Sequence, residues 1–581
     1  MNMLWNLDNL YKSFESEKLQ SDLKTIGEEF KKHIKWCDEN FSNNENVEEK
    51  IKNFIETSNY LADKFMTMFA FGRLNMSVDT SNVAALELVE SLENYFPLLA
   101  VIEVKFSKWI EKLEIDYSDN ILAKHKFYIT EAKKSAKYML DDKSEEMLAN
   151  LKNTGSGAWA KLQDTMVSTL TTNFDGKDIP LPALRNLAYN ASSDIRKRAY
   201  EAEIKTYKQI EKTSAAVLNA IKGEVIYTSA LRGYKTPLER TLIDSRMDKE
   251  TLDAMLDSMR EFLPDFRRYL KKKSQLLGNS KGLPFYDLFA PMGKIDKTYS
   301  FEEASQFINE NFSKFSTKLG NFSKNAFKNN WIDAKMRDGK VGGAFCFPIH
   351  GIKESRILAN FSGSFSDITT VAHELGHGYH GECLKDVTYL NSNYSMPMAE
   401  TASIFCESYV SNAALKEASE ENKIAIIEHN LMEATQVIVD ILSRYEFETK
   451  LFELRNKSSL SVDKLKEIMT EAQLNTYGDG LDSDFLHPYM WACKPHYYSA
   501  DANFYNFPYA FGLLFAKGLY AQYLNEGEAF VPKYDQLLVE TGKNDVRGVL
   551  KTVGINSSDK NFWRNSLQLI KEDIDYFVKI K

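Results

Sequence analysis

The chain has 581 residues, of which 43% are hydrophobic and 27% are charged, and this composition argues against long disordered segments. Its net charge of −9 and isoelectric point near 5.7 exclude nucleic acid as an expected partner, because phosphate binding needs a basic surface. The sequence contains no run of 18 apolar residues, so we expect no membrane-spanning helix and no membrane partner.

The first residues and the cysteines indicate the cellular compartment. The first twelve residues mix polar and acidic side chains with apolar ones, so they lack the pattern of a secretory signal. The cysteines are odd in number and scattered, which does not suggest a disulfide framework: Cys37, Cys346, Cys383, Cys406 and Cys493. We therefore expect a cytoplasmic protein.

Residues 1–150 carry apolar side chains at steps of three and four, which is the spacing that predicts one helix after another. This region contains His33 and His125 but no group of possible metal ligands. Further on, Asp175-Gly176 between extended segments predicts a β-hairpin. We place a domain boundary there, with a helical N-terminal region over 1–175 and a second domain over 176–581.

The second domain begins with a helical pattern over 182–280, and Ser300 with Glu303 predicts a capping box that opens another helix. Two later segments, 340–348 and 355–361, have the composition of strands. These strands permit two interpretations. Their free edge binds an extended peptide main chain, or they only complete a small sheet.

The next helical pattern contains His373-Glu374-Leu375-Gly376-His377. Two histidines four positions apart lie on one face of a helix, so both imidazoles can reach a single ion. Glu374 is then placed beside a metal-bound water, as a general base. Chance would produce this pattern in about one chain in a hundred of this size. The alternative is an amphipathic helix with two surface histidines, and the apolar residues on the other faces argue against it.

A catalytic zinc site needs a third protein ligand. Glu382 belongs to the same helix and points away from the histidines. Glu400 lies inside 396–407, which predicts a new helix after a turn at Pro397, and a second helix packed on the first can carry its carboxylate over the histidines. Glu407 shares the face of Glu400 and either hydrogen-bonds a ligand from outside or is a solvated carboxylate. We predict one Zn²⁺ per chain on His373, His377 and Glu400, with Mn²⁺ or Co²⁺ able to substitute.

Another polar group lies near the C-terminus, where His496 is followed by Tyr505 and Tyr509. Hydrolysis of an amide passes through an oxyanion, which a phenol or imidazole donor can stabilise. The chain has 29 tyrosines, so one alone means little, but two at a predicted helical turn after a histidine form a candidate group. No role is predicted for His350, His380 or His429.

These motifs resemble the peptidase M3 family, and in particular its oligoendopeptidase F branch. The matching pieces follow the family's order over about residues 180–520: the motif at 373–377, Ala399 to Glu407, Gly343-Ala-Phe-Cys346, Asn360-Phe-Ser-Gly363, Trp491, His496, Phe504-Tyr505, Tyr509-Ala510 and Gly512. The resemblance implies a mainly α, zincin-type metallopeptidase with a small β-sheet beside the motif helix and a deep substrate channel. It implies that residues 1–175 form one wall of that channel and that 176–581 form the catalytic domain. It also implies that His496, Tyr505 and Tyr509 contact the substrate and its transition state.

The resulting prediction is a zinc-dependent endopeptidase that cleaves internal bonds of short oligopeptides, with Glu374 as the base. A zinc carboxypeptidase on the same scaffold is one alternative, and it would need a cation for a free C-terminus. No arginine lies near the motifs in the sequence, although Lys494 does. A non-catalytic peptide-binding protein is the other alternative, and the intact Glu374 argues against it. The oligomeric state stays unknown from the sequence.

Overall fold

Helices contain most of the residues described by the computed structural model, which covers 1–293 and 297–580. The helix Val47–Val78 shows how the sequence produces them. Apolar side chains at three- and four-residue steps place Ile51, Phe54, Phe65 and Met68 on one face, where all are buried. Burial of such side chains contributes about 1.5–3 kcal/mol each. The predicted mainly α fold is confirmed.

Within the described ranges the α-helices, numbered in chain order, are α1 Glu17–Asn40, α2 Val47–Val78, α3 Val83–Glu93, α4 Phe96–Ile110, α5 Asn120–Lys124, α6 Lys126–Ala136, α7 Asp142–Thr154, α8 Ser156–Thr169, α9 Leu181–Asn186, α10 Ser193–Tyr207, α11 Glu211–Arg232, α12 Pro237–Asp244, α13 Lys249–Leu276, α14 Phe301–Phe315, α15 Thr317–Lys328, α16 Phe365–Leu384, α17 Met396–Ala399, α18 Thr401–Glu417, α19 Glu420–Thr435, α20 Ile441–Arg455, α21 Val462–Tyr477, α22 Met490–Cys493, α23 Phe507–Glu526, α24 Val531–Glu540, α25 Val546–Thr552 and α26 Lys560–Phe577. A π-helical turn, Gln436–Asp440, joins α19 to α20.

The strands form two small sheets. β1 Thr171–Phe174 and β2 Lys177–Pro180 pair antiparallel, and the two residues between them both have positive φ, as a tight hairpin turn requires. This hairpin confirms the prediction from Asp175-Gly176. The second sheet has the order β3-β5-β4, built from β3 Ile332–Asp333, β4 Phe345–Ile349 and β5 Glu354–Leu358. β4 and β5 are antiparallel, and each overlaps one of the two segments predicted as strands. Each strand is shorter than its predicted segment and extends one residue beyond one end of it.

The described residues form two compact units, each assembled from three segments of the chain. Unit 1 takes its described residues from 1–139, 297–416 and 522–555, and unit 2 takes its described residues from 140–293, 417–521 and 556–580. The sequence-based division at residue 175 is of another kind, since it is continuous along the chain, and it stays a prediction.

Unit 1 holds the helix that carries the metal motif, α16. An aromatic core among the N-terminal helices, with Phe54 and Phe106 stacked 3.9 Å apart, extends to Ile349 of β4. β4 and β5 pack on α16, and α24 packs on it as well. Tyr379 of α16 donates a hydrogen bond to Asp535 of α24. The motif helix is therefore held by a sheet and a helix of its own unit.

Unit 2 contains the segment with His496 and the two candidate tyrosines. Its core is rich in large aromatic residues such as Tyr207, Tyr489 and Trp491, all fully buried. It also contains buried ion pairs, among them Lys273–Glu428 at 2.6 Å and Arg196–Asp287 at 2.8 Å. A buried charge of this kind is tolerated only with a partner, because desolvation of an isolated ion is costly.

The length and composition of the helices also bear on membrane insertion. None of the helices in the described part of the chain is both long enough and apolar enough to cross a bilayer.

Candidate metal centre

The motif helix α16 begins at a capping box. The Ser364 side chain accepts a hydrogen bond from the backbone N–H of Asp367, and the Asp367 carboxylate accepts backbone N–H groups of 362, 363 and 364 at 2.8–3.0 Å. Burial raises the pKa of Asp367, but the hydrogen bonds with Ser362 and its neighbours outweigh this and leave the pKa below its usual value. A carboxylate at a helix N-terminus is also favoured by the helix dipole. These contacts fix where α16 starts and hence which face carries the histidines.

His373 and His377 lie one turn apart on that face. Their ring centroids are 5.0 Å apart and both side chains are half-buried, with 24% and 19% of their surface exposed. Glu382 lies later on the same helix and pairs with Lys385 instead.

Glu400 lies over the histidine pair. Its Oε2 atom is 3.2 Å from Nε2 of His373 and 3.5 Å from Nε2 of His377, and Ser403 Oγ donates a hydrogen bond to the same oxygen at 2.7 Å. The prediction that Glu400 is inside a new helix is wrong in detail. Glu400 is the residue between α17 and α18, where a one-turn helix ends before the next begins, with φ −91° and ψ 4°. This break turns its carboxylate toward α16.

A glycine of the motif allows α18 to approach. A Cβ atom at Gly376 would lie 2.5 Å from the carbonyl oxygen of Ala402 and 2.6 Å from Cα of Ser403, both in the first turn of α18. Only glycine leaves room for backbone at this distance. The apolar pattern of the motif helix does not predict this contact. The signal was present, since glycine inside a helix usually has a packing reason.

Glu407 contacts the far side of His373. Its Oε2 atom is 2.8 Å from Nδ1 of His373, while Nε2 of the same ring faces Glu400. A carboxylate on one ring nitrogen orients the ring and leaves the other nitrogen available as a ligand. Glu407 also lies two turns along α18 from Glu400, as its spacing predicts.

Glu374 is buried beside the two histidines. Only 6% of the residue is exposed, and its Oε2 atom has no hydrogen-bond partner in the described structure. Burial raises the pKa of Glu374 to about 7, although the positive charge of His373 acts in the opposite direction. An unpaired carboxylate oxygen in such a place is poised to bind a proton or a water molecule.

The pKa values of His373, His377 and Glu400 indicate that this site favours a bound positive charge. Burial disfavours a charged His373, but hydrogen bonds to Glu400 and Glu407 raise its pKa to about 10. Burial and the neighbouring charge of His373 lower the pKa of His377 to about 4. Despite its burial, Glu400 has its pKa lowered to about 2 by His373 and His377. A divalent cation can replace the proton on His373, since both need the same carboxylates nearby.

The donor set fits a zinc ion. Among the described residues, His373, His377 and Glu400 are the group of three possible ligands whose donor atoms all lie within 4.8 Å of one another. Two imidazole nitrogens and one carboxylate oxygen are donors that Zn²⁺ accepts. Cys383 and Cys406 are buried and do not join this group, and burial raises the pKa of both thiols.

The remaining candidate residues lie in unit 2. The His496 ring stacks on Tyr505 with centroids 4.8 Å apart, and the hydroxyls of Tyr505 and Tyr509 are 3.3 Å apart. The prediction that both tyrosines share a helix is wrong, because α23 begins at Phe507 and Tyr505 belongs to the turn before it. The three side chains nevertheless form one cluster. Their catalytic roles stay predictions.

The turn before Tyr505 is held by residues that sequence reasoning missed. Lys222 of α11 donates to Glu448 Oε1 at 2.9 Å and to Asn503 Oδ1 at 2.7 Å, and the backbone N–H of Phe504 donates to Glu448 Oε2 at 2.9 Å. Phe504 has φ 51°, a conformation that a bulky residue adopts only when its surroundings impose it. No local pattern around Lys222 predicts this role, because its partners lie more than 200 residues away.

Three histidines without a predicted role have structural contacts. His350 Nδ1 is 2.6 Å from Asp63 and its Nε2 is 2.8 Å from the Val387 carbonyl oxygen. His380 is fully buried and contacts Thr541 at 2.7 Å. His429 lies in α19 with 40% of its side chain exposed.

Two family models match the sequence. The model described as Peptidase family M3 matches residues 186–569, which is more than half of the chain, and the model described as Oligopeptidase F matches 98–171. The chain belongs to peptidase family M3. Within the family it falls in the oligoendopeptidase F branch, and it is a metallo-oligopeptidase.

Two relatives from this branch are distant in sequence. The oligopeptidase PepF of Bacillus subtilis is 24% identical over 457 residues, covering 77% of this chain and 68% of that protein. An oligoendopeptidase F homolog of Borreliella burgdorferi is 26% identical over 513 residues, covering 85% and 83%.

Solved structures share the fold of this M3 peptidase. A crystal structure of a candidate peptidase from Chlamydophila abortus superposes with a TM-score of 0.85 at 19% identity, over 99% of this chain and 98% of that one. The oligoendopeptidase-F from Enterococcus faecium gives a TM-score of 0.68 at 17% identity, over 97% of each chain.

Proposed function

We propose that this M3 peptidase is a zinc-dependent endopeptidase that hydrolyses internal bonds of short oligopeptides. The observation that carries the proposal is the convergence of His373, His377 and Glu400 within 4.8 Å, with the buried carboxylate of Glu374 beside them. A structural zinc site would use four protein ligands, whereas three ligands with an adjacent carboxylate suit a catalytic site. Manganese or cobalt would fit the same donors.

Glu374 acts as the proton carrier in the proposed reaction. A bound zinc ion would supply the Lewis acid that lowers the pKa of water and polarises the scissile carbonyl. Glu374 accepts the proton of the attacking water and passes it to the leaving amine as the C–N bond breaks. Its unpaired Oε2 atom supports this role, because no hydrogen bond to another described side chain competes for the proton.

Four other side chains assist. Glu407 orients His373 through the contact at Nδ1. His496, Tyr505 and Tyr509 are the proposed donors to the oxyanion that forms when water adds to the carbonyl. Their mutual stacking and hydroxyl contact support a common role for the cluster.

The edge of the small sheet is the proposed binding surface for the peptide main chain. β4 lies at one end of the order β3-β5-β4, and it pairs with β5 on one side only among the described strands. A free edge next to α16 can hydrogen-bond an extended peptide with little regard for its side chains. The deep channel, the cytoplasmic location and the lack of nucleic-acid partners stay predictions from the sequence.

Replacement of Glu374 tests the assignment of the base. Glu374→Gln keeps the shape of the side chain and removes its basicity, so we expect turnover of a quenched oligopeptide to fall by at least about 100-fold with the metal content unchanged. Glu382→Gln, on the same helix but outside the site, is the matched control. Mass spectrometry of the products identifies the cleaved bond. Full turnover by Glu374→Gln would refute the role of this residue.

The product masses also separate the endopeptidase from a carboxypeptidase. Release of single residues from the C-terminus would indicate the carboxypeptidase, and cleavage at internal bonds would indicate the endopeptidase. A chain that binds peptides and leaves them intact would be the non-catalytic alternative.

A further inference from the structure

Unit 2 contains a cavity of about 290 Å³ that the proposed reaction does not use. Its walls include residues of α9 and α10, together with Met490 and Lys494. Tyr189, which is 56% exposed, also lines the cavity, so the cavity is open to solvent on that side.

Aromatic rings form the apolar part of the wall. Tyr189 packs on Phe289 at 4.9 Å between ring centroids, and Tyr200 packs on Tyr286 at 5.7 Å. Rings that hold one another in this way give a rigid surface suited to an apolar or aromatic side chain.

The cationic side chains of the wall differ in whether they are neutralised. Arg196 pairs with Asp287 at 2.8 Å, and Arg185 pairs with Glu203 at 3.0 Å. The side-chain ammonium of Lys494 has neither a hydrogen bond nor an ion pair with any residue of the described chain. The nearby carboxylate of Asp440 is already bonded to Arg444. Lys494 therefore contributes a positive charge that the protein does not balance.

The ammonium of Lys494 is only partly exposed, so its lack of a partner is costly. Burial lowers the pKa of Lys494, and the charge of Arg444 lowers it further. A bound anion would supply the missing hydrogen bonds and raise the pKa of the lysine toward its usual value.

We propose that this cavity binds a peptide carboxylate on Lys494, with the apolar side chain of the same residue among the aromatic rings. The inference rests on the proposed function, because Lys494 lies two residues before His496, a predicted substrate contact. The favoured source of the carboxylate is a free C-terminus, since a volume of about 290 Å³ accommodates one terminal residue. The substrate class is then short peptides with a free carboxyl end and an apolar last residue.

Three quenched peptides that differ only at their C-terminal end test the anion. One ends in a free acid, one in an amide, and one in an amide after a last residue of glutamate. We expect kcat/KM of the acid to exceed that of the amide by about ten-fold, mainly through KM, as a charge-assisted hydrogen bond provides. Recovery by the glutamate peptide would assign the carboxylate to an acidic side chain. Equal values for all three peptides would overturn the proposal.

Variants of Lys494 test the residue. Lys494→Met should bring the acid-to-amide ratio close to one, whereas Lys494→Arg should keep most of it. Lys205→Met, an exposed lysine of α10, should leave the ratio as it is in the wild type. A ratio of about ten-fold in Lys494→Met would overturn the assignment.

A binding measurement separates this inference from the proposed function. N-acetylphenylalanine and its amide are titrated into the metal-free protein by calorimetry, which needs neither turnover nor a folded Lys494 variant. We expect the acid to bind at least about ten-fold more tightly. Binding of the acid without any peptide hydrolysis would leave the cavity site standing and refute the endopeptidase. Peptide hydrolysis with no preference for the acid in either measurement would refute the cavity site and leave the endopeptidase standing.

Discussion

His373 is the side chain on which most of the candidate site depends. Each of its ring nitrogens faces a different carboxylate, Glu400 at 3.2 Å and Glu407 at 2.8 Å. The two contacts have different consequences. Glu400 faces the ring nitrogen that would bind an ion, so its carboxylate would become a second ligand of that ion. Glu407 contacts the other ring nitrogen, so it orients the imidazole and makes it a better electron donor to the ion.

Replacement of Glu407 should weaken metal binding. Glu407→Gln retains an oxygen that accepts the hydrogen bond from His373 but removes the charge, so we expect the zinc affinity to fall by about 10–100-fold. Competition with a chelator, followed by metal analysis, measures this change. Glu417→Gln, an exposed glutamate at the end of the same helix, is the control. Equal affinities in both variants would show that Glu407 does not support the ligand.

At the scale of elements, the site is a crossing of two helices. α16 carries both histidines and α18 follows the third donor, and their backbones meet at Gly376. The atoms that face Gly376 belong to the backbone of α18 and not to flexible side chains. A larger residue at this position would therefore force one of the two helices to move. The helix break at Glu400 is the second requirement, since it aims the carboxylate at the histidines.

An alanine at the crossing should displace α18. Gly376→Ala places a methyl group 2.5 Å from the Ala402 carbonyl oxygen, and we expect a loss of about 1–3 kcal/mol in stability together with weaker zinc binding. Gly381→Ala, whose added Cβ would meet no atom closer than 3.2 Å, is the control on the same helix. Thermal melting and metal titration of both variants measure the effects. A Gly376→Ala protein with wild-type zinc affinity would contradict the role of the crossing.

The turn before Tyr505 depends in the same way on a buried pair. Lys222→Met leaves Glu448 buried without its partner, which costs about 3–5 kcal/mol and frees the turn at Asn503 and Phe504. We expect a lower melting temperature and a fall in kcat larger than any rise in KM. Lys222→Arg should recover part of both, and Lys212→Met, exposed on the same helix, should change neither. A stable Lys222→Met enzyme with normal kcat would refute the positioning role.

At the scale of the whole molecule, several histidines are buried as neutral groups. His33, His125 and His380 are each at most 3% exposed, and burial lowers the pKa of all three. A histidine with a lowered folded-state pKa binds its proton more readily in the unfolded chain. Acid therefore favours unfolding, and the loss begins below the unfolded pKa of about 6.5.

The contribution of His33 can be isolated. Its pKa is lowered to about 4 by burial, so protonation of the unfolded chain should remove about 2 kcal/mol of stability between pH 7.5 and pH 5. His33→Gln can keep a hydrogen bond to Ser58 and cannot titrate. Urea unfolding at the two pH values should show a smaller loss for the variant. An equal loss in both proteins would show that His33 does not contribute to the acid sensitivity.

Local sequence patterns determine much of the secondary structure of this protein. The three- and four-residue apolar steps predict the helices, Asp175-Gly176 predicts the hairpin, and Ser300 with Glu303 predicts a capping box that the structure contains. Each of these depends on contacts within a few residues of the chain. The spacing of His373, Glu374 and His377 is of the same kind, because a single helix places them.

Tertiary structure decided what distant segments do to one another. Gly376 touches α18, Lys222 reaches Glu448 and Asn503, and Lys494 is left without a partner beside aromatic rings from other helices. Tyr505 proved to lie before its helix, yet its hydroxyl still meets that of Tyr509. Contacts between different segments of the chain leave no periodic trace in a sequence. They follow only from how the helices pack, which is where the geometry of the metal centre and the charge of the cavity are set.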